Sequence, residues 1–212
     1  MTKKRKIYVV GPSKGYARWI DCEVVNNFND ADIIMFTGGE DVSPVIYREP
    51  ANIRTYSNEN RDIYEMGFFN RAVTEKKHIL GICRGAQFLC AMSGGRLVQH
   101  QENPHHIHQI TTSEGHSIPI TSTHHQAMYP YDMKEEHYEV LAYTNNISKI
   151  HQDGHGKEIS DTPFNEVEIC YFPVTKALGI QGHPENMDIR SDGVKYFQQL
   201  LTKFLDNKID CK

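Results

Sequence analysis

Hydrophobic residues in this chain fall into short runs, cut by glycine turns and separated by longer stretches with helical spacing. Residues 7–10 form a first buried strand closed by Gly11-Pro12. Residues 15–20 are expected to make a short helix carrying the only tryptophan, Trp19, and residues 22–25 a second strand. The apolar run at 31–36 ends in Thr37-Gly38-Gly39-Glu40-Asp41, a glycine turn at the carboxyl end of a strand. Helical periodicity over 60–74 puts Ile63, Met66, Gly67, Phe69, Asn70 and Val73 along one side. Ile79-Leu80 then stops at Gly81, and residues 86–92 resume helical spacing without Gly or Pro. From 96 to about 173 the pattern turns strand-like and polar, which suits antiparallel strands and loops. A buried strand at 177–181 and an amphipathic helix at 191–205 close the chain. The helix carries Val194, Phe197, Leu200, Leu201 and Phe204 on its apolar face.

Strands alternating with helices imply an α/β fold with parallel pairing, in which active loops gather at the carboxyl edge of the sheet. The Gly38-Gly39 turn and the turn after Gly81 therefore open on one side. Composition narrows the class. With 212 residues and 39% hydrophobic content the chain can close one sizeable core, so one domain over residues 1–212 is expected. A net charge of −4 argues against a general nucleic-acid-binding surface. The basic start Lys3-Lys4-Arg5-Lys6 leads into an apolar run too short for a secretory signal, and reads as the solvated end of the first strand. No stretch approaches the ~20 apolar residues that span a bilayer. Five irregularly spaced cysteines (Cys22, Cys83, Cys90, Cys170 and Cys211) without a CxxC pair suit a reducing cytoplasm.

Chemistry enters at Cys83, held between two glycines in Gly81-Ile82-Cys83-Arg84-Gly85 at a strand-to-helix switch. Small flanking residues allow a strained backbone and an open tip. The helix start favours thiolate over thiol. The bland alternative is a small buried hydrophobe, the usual fate of a cysteine. A cysteine nucleophile also needs a base, a group to orient the base, and donors for the oxyanion. His183-Pro184-Glu185 follows a strand and supplies the first two, unless it is simply an exposed loop. The amide of Arg84 and that of Gly38 or Gly39 are the candidate donors, unless the latter form a plain glycine turn.

Gly81-Ile82-Cys83-Arg84-Gly85-Ala86-Gln87 together with Gln181-Gly182-His183-Pro184-Glu185 resembles the class I glutamine amidotransferase family. Three further segments resemble its γ-glutamyl hydrolase branch, which cleaves γ-glutamyl-γ-aminobutyrate. They are Phe36-Thr37-Gly38-Gly39-Glu40-Asp41-Val42-Ser43-Pro44, Arg61-Asp62-Ile63-Tyr64-Glu65 and Thr123-His124-His125-Gln126-Ala127. The resemblance implies a three-layer, flavodoxin-like fold: a mostly parallel sheet flanked by helices, with a smaller antiparallel portion. It implies a triad of Cys83, His183 and Glu185 acting through a γ-glutamyl thioester, and an oxyanion held by the Gly39 and Arg84 amides. Gln87, His124, His125 and Gln126 fall where relatives bind the glutamyl part. No cofactor is implied, because nucleophile and base supply the chemistry. The expected substrate is a small γ-glutamyl amide. A separate synthetase subunit receiving ammonia, or a second copy of the chain in a homodimer, stays open as a partner, and a non-catalytic scaffold sensing a glutamyl metabolite is the third reading.

Relatives usually carry an aromatic residue where this chain has Gly182, so a wider or more mobile wall is expected there. The part before residue 33 is compressed, and the Asp-Gly-rich segment of relatives is not clearly matched near Asp153-Gly154. Nine histidines (His100, His105, His106, His108, His116, His124, His125, His151 and His155) crowd one region. They lack the ligand set and spacing of a zinc site and read as a polar loop surface. Arg61, Asp62 and Glu65, at helical spacing, are either a surface ion pair or a brace for the loop behind the cysteine.

Overall fold

The computed structural model describes residues 4–102, 107–145, 148–159 and 165–209. Lys3, His105, His106 and Cys211, named above, lie outside the described residues. In chain order the elements are β1 (Arg5–Val10), β2 (Cys22–Val24), β3 (Ile33–Phe36), α1 (Glu59–Thr74), β4 (His78–Ile82) and α2 (Arg84–Met92). Then come β5 (Arg96–Val98), β6 (His100–Gln101), β7 (Ile107–Thr112), β8 (Ser117–Thr121), β9 (Ala127–Tyr129), β10 (Glu139–Asn145), β11 (His151–Gln152), β12 (Asn165–Phe172), β13 (Ala177–Ile180) and α3 (Asp192–Leu205).

Among the described residues the main sheet has eleven strands, with β2-β1-β3-β4-β13-β12-β10-β7-β8 as its path. From β2 to β13 all neighbours are parallel. From β12 outward they are antiparallel, as the loss of helical spacing after residue 96 predicts. The fully apolar β3 and β13 are buried along their whole length, the pattern of strands covered on both faces. β8 is the outer strand and contains Pro119, tolerable where the missing N–H faces no partner.

One core lies under α3, where Trp19, Phe197, Leu201 and Phe204 meet Ile7, Ile33 and Leu80. Ser191 caps that helix by accepting from the Val194 amide (3.3 Å). The other core lies under α1 and α2, with Phe36, Phe69 and Phe88 at its centre. The sheet is thus the middle of three layers. Among the described residues no helix is long and apolar enough to cross a membrane.

Three expectations change. Residues 15–20 give only a 3-10 turn, Lys14–Ala17, with Trp19 packed beyond it. On α1 the inward stripe is Asp62, Glu65, Phe69 and Ala72, while Ile63 is 68% exposed. The reason is electrostatic: both carboxylates turn inward to meet the buried guanidinium of Arg84. The histidines, finally, are only in part a loop surface. His100, His108, His124 and His151 are buried on inward faces of strands and the adjoining loops, His108 bonded to Glu168 (2.8 Å) and His151 to Glu166 (3.1 Å). In β7 the period-2 alternation that exposes Ile107 is what buries His108. His116 is exposed, as expected.

Candidate active site

Cys83 occupies the single position between β4 and α2, with φ 53° and ψ −113°. For a residue with a Cβ such a conformation costs roughly 1–3 kcal/mol, so it persists only where the surroundings enforce it. Here the Cys83 N–H donates to the Ile180 carbonyl (2.8 Å) and the Cys83 carbonyl accepts from the Gln87 amide (3.1 Å). The flanking glycines make the turn physically feasible. A Cβ on Gly81 would lie 2.5 Å from the Gly85 carbonyl, and one on Gly85 would lie 2.3 Å from the Phe36 oxygen. Glycine at both lets the start of α2 rest directly on the strand ends.

His183 arrives from the loop after β13, the strand beside β4, so sulfur and imidazole share one sheet edge. The ring lines one cavity with Cys83 and interacts with it electrostatically. Its Nδ1 faces Glu185 Oε1 at 2.7 Å, and its Nε2 lies 2.9 Å from Thr123 Oγ1. The 3-10 turn Pro184–Asn186 folds Glu185 back onto the ring. Burial opposes a charge on His183 and is the largest single influence. Interactions with Cys83 and Glu185 outweigh it and push the imidazole up to about 10. The ring therefore stands as an imidazolium at neutral pH, with both N–H groups donating.

A cavity of about 270 Å³ opens over the sulfur. Gly39, Arg84, Gln87, His124, His125 and Gln126 line it together with Cys83 and His183. Gly38 does not line it; its carbonyl accepts from Arg61 (2.9 Å). The Arg84 amide is in the first turn of α2, where N–H groups have no intrahelical acceptor. The Arg84 side chain points the other way, between Asp62 and Glu65. Of the four residues expected to bind the glutamyl part, two use their side chains to hold the wall. Gln87 donates to the Gln126 carbonyl (2.8 Å), and Gln126 donates to the Gln99 carbonyl (3.0 Å) and to Thr55 (3.1 Å). His124 is buried, and burial pulls it down to about 3, so it is neutral. His125 is the most open of the four and pairs with Asp41 (3.0 Å).

The wall at Gly182 is closed, contrary to expectation. A Cβ there would lie 2.2 Å from Ile120 Cγ1 and 2.8 Å from the Thr121 carbonyl, which also accepts from the His183 amide (2.8 Å). β8 fills the volume that an aromatic side chain would take.

Sequence reasoning missed Tyr16, Asp41 and Thr123, which also line the cavity. It missed Arg18, whose Nε donates to the Glu185 carbonyl and whose Nη2 reaches Asn186 (3.3 Å). The signal for Tyr16 and Arg18 was their place just beyond β1, at the same carboxyl edge. Thr123 and Asp41 sat inside motifs already noted.

Residues 21–185 match the peptidase C26 family model. The glutamine amidotransferase-like protein YvdE of Lactococcus lactis is 30% identical over 172 residues, covering 76% of this chain and 69% of that protein. A glutamine amidotransferase of Thermotoga maritima superposes with a TM-score of 0.58 at 12% identity, over 98% of this chain and 87% of that one. PurLQS of Thermotoga maritima superposes with a TM-score of 0.56 at 18% identity, over 94% of this chain and 99% of that one.

Proposed function

This chain belongs to the peptidase C26 family, within the class I glutamine amidotransferase-like enzymes, and from that premise we propose that it hydrolyses γ-glutamyl amides through Cys83. The observation that carries the reading is the imidazole of His183, bonded to Glu185 through Nδ1 and lining one cavity with Cys83.

The Cys83 sulfur attacks the γ-carbonyl carbon, and the carbonyl π electrons move onto oxygen. The Gly39 and Arg84 amides hold that oxyanion. As the tetrahedral centre collapses, the carbon–nitrogen bond breaks and His183 Nε2–H protonates the departing amine, leaving a γ-glutamyl thioester. The now neutral imidazole takes a proton from water, hydroxide adds to the thioester, and glutamate leaves as the sulfur regains its pair. Glu185 steadies the imidazolium through Nδ1–H. Glutamine and γ-glutamyl amines both fit this chemistry, and the reading places it in one domain and in the cytoplasm.

The test is turnover of a panel of glutamine, γ-glutamyl-γ-aminobutyrate and γ-glutamyl-p-nitroanilide by wild type and by Cys83→Ala. Activity confined to wild type, with unchanged circular dichroism of the variant, is expected; equal activity in the variant refutes the proposal. The fold shared with PurLQS keeps a second reading in view, an ammonia-donating subunit. It is favoured if glutamine alone is a substrate and turnover rises on adding cell extract.

A further inference from the structure

Arg61 is mostly buried, and every arm of its guanidinium is engaged. Nε donates to Glu65 (2.8 Å) and Nη1 to Glu40 (2.7 Å). Nη2 reaches the carbonyls of Thr37 (3.2 Å) and Gly38 (2.9 Å), the loop leaving β3. The Gly38 bond matters most. Across a trans peptide the C=O and the next N–H point in opposite directions within one plane. Fixing the Gly38 oxygen on Arg61 therefore turns the Gly39 N–H away from Arg61, toward the side on which Gly39 lines the cavity above Cys83. Among the described residues no other group accepts from that N–H.

Two features show that the geometry is imposed rather than incidental. Gly39 has φ +144°, and a Cβ there would lie 2.0 Å from Arg61 Nη1, so the guanidinium packs flush against the residue it aims. Glu65, which fixes Arg61 Nε, also bonds Arg84 at the start of α2. One carboxylate thus ties the side chain that sets the first donor to the residue that provides the second.

We propose that Arg61 is a positioning residue for acyl transfer: it orients the Gly38–Gly39 peptide so that the Gly39 N–H meets the developing oxyanion. The inference rests on the γ-glutamyl hydrolase reading above and adds to it a residue that touches no substrate. A flexible ammonium cannot span two carbonyls and two carboxylates at once, so Lys in place of Arg loses the function while keeping the charge.

The experiment compares wild type, Arg61→Lys and Arg61→Met in γ-glutamyl-p-nitroanilide hydrolysis and in alkylation of Cys83 by iodoacetamide. Alkylation needs the nucleophile but no oxyanion donor. Loss of one donor lowers kcat by about 10²–10³-fold. The expected result is that fall in both variants, with KM changed by less than about threefold and alkylation by less than about twofold. If Met fails to fold, Lys carries the test. The inference is overturned if kcat is retained, if alkylation slows in step with kcat, or if only KM rises. Wild type inactive on every γ-glutamyl substrate overturns the hydrolase reading and the inference together.

Discussion

Arg84→Met tests the electrostatic account of α1. In the folded protein Arg84 is 1% exposed, and its guanidinium bonds both Asp62 and Glu65, which are buried with it. Methionine keeps much of the volume but leaves two carboxylates facing each other with Arg61 as the cation beside them. Removing one partner of a buried ion pair costs about 3–5 kcal/mol, chiefly because the remaining charge has lost its solvation without replacement. For a chain of this size that loss lowers Tm by about 10 °C. The dependence on pH supplies the sharper check. Burial is the largest influence on Asp62 and already holds its carboxyl above the ordinary range, against the opposing effects of the Ser43 amide and Arg84. Without Arg84 it rises further. A carboxyl raised in the folded state takes up its proton there first, so the variant regains stability as pH falls through that folded value. Urea melts at pH 7 and pH 5 should show the gap between variant and wild type narrowing at pH 5. Adding Asp62→Asn and Glu65→Gln should recover most of the loss, since neutral amides carry no uncompensated charge. A loss under about 1 kcal/mol, or an identical gap at both pH values, refutes the reasoning.

Further outcomes follow from His183 and Gly182. Because His183 is held up to about 10 in part by Glu185, its imidazolium persists to that pH, and activity that needs it declines as pH rises through the same value. Stability contributed by the charged ring is likewise complete below the unfolded histidine value near 6.5 and lost toward pH 10. Glu185→Gln should shift the alkaline limb of kcat/KM to lower pH and reduce the rate by about 10²–10⁴-fold; a limb that stays in place counts against the assignment. Gly182→Ala should cost roughly 1–3 kcal/mol through overpacking on Ile120, and Ile120→Ala in the same chain should recover part of it. Strictly additive losses in urea melts rule out that packing account.

The parallel half of the fold was legible because its central strands carry short apolar runs, as β3 and β13 do along their whole length. The elbow was legible because its two glycines serve close backbone approach. The α1 face was not, since periodicity counts Ile63 as inward and has no means of seeing a guanidinium that recruits carboxylates from another element. The histidine-rich stretch misled for a related reason. Polar residues buried by pairing, such as His108 with Glu168, carry the same letters as polar residues in water. The cysteine, histidine and glutamate were found by motif. Thr123 and Tyr16 were not, because a hydroxyl facing a ring nitrogen or walling a cavity leaves no spacing to detect.

Among the described residues β8 joins the sheet only through β7, yet its Thr121 carbonyl holds the His183 amide and its Ile120 packs on Gly182. Peripheral strands are among the first segments to open in native proteins. Amide hydrogen exchange in this margin consequently reports how often the imidazole leaves the sulfur, a reading of site assembly taken without any substrate.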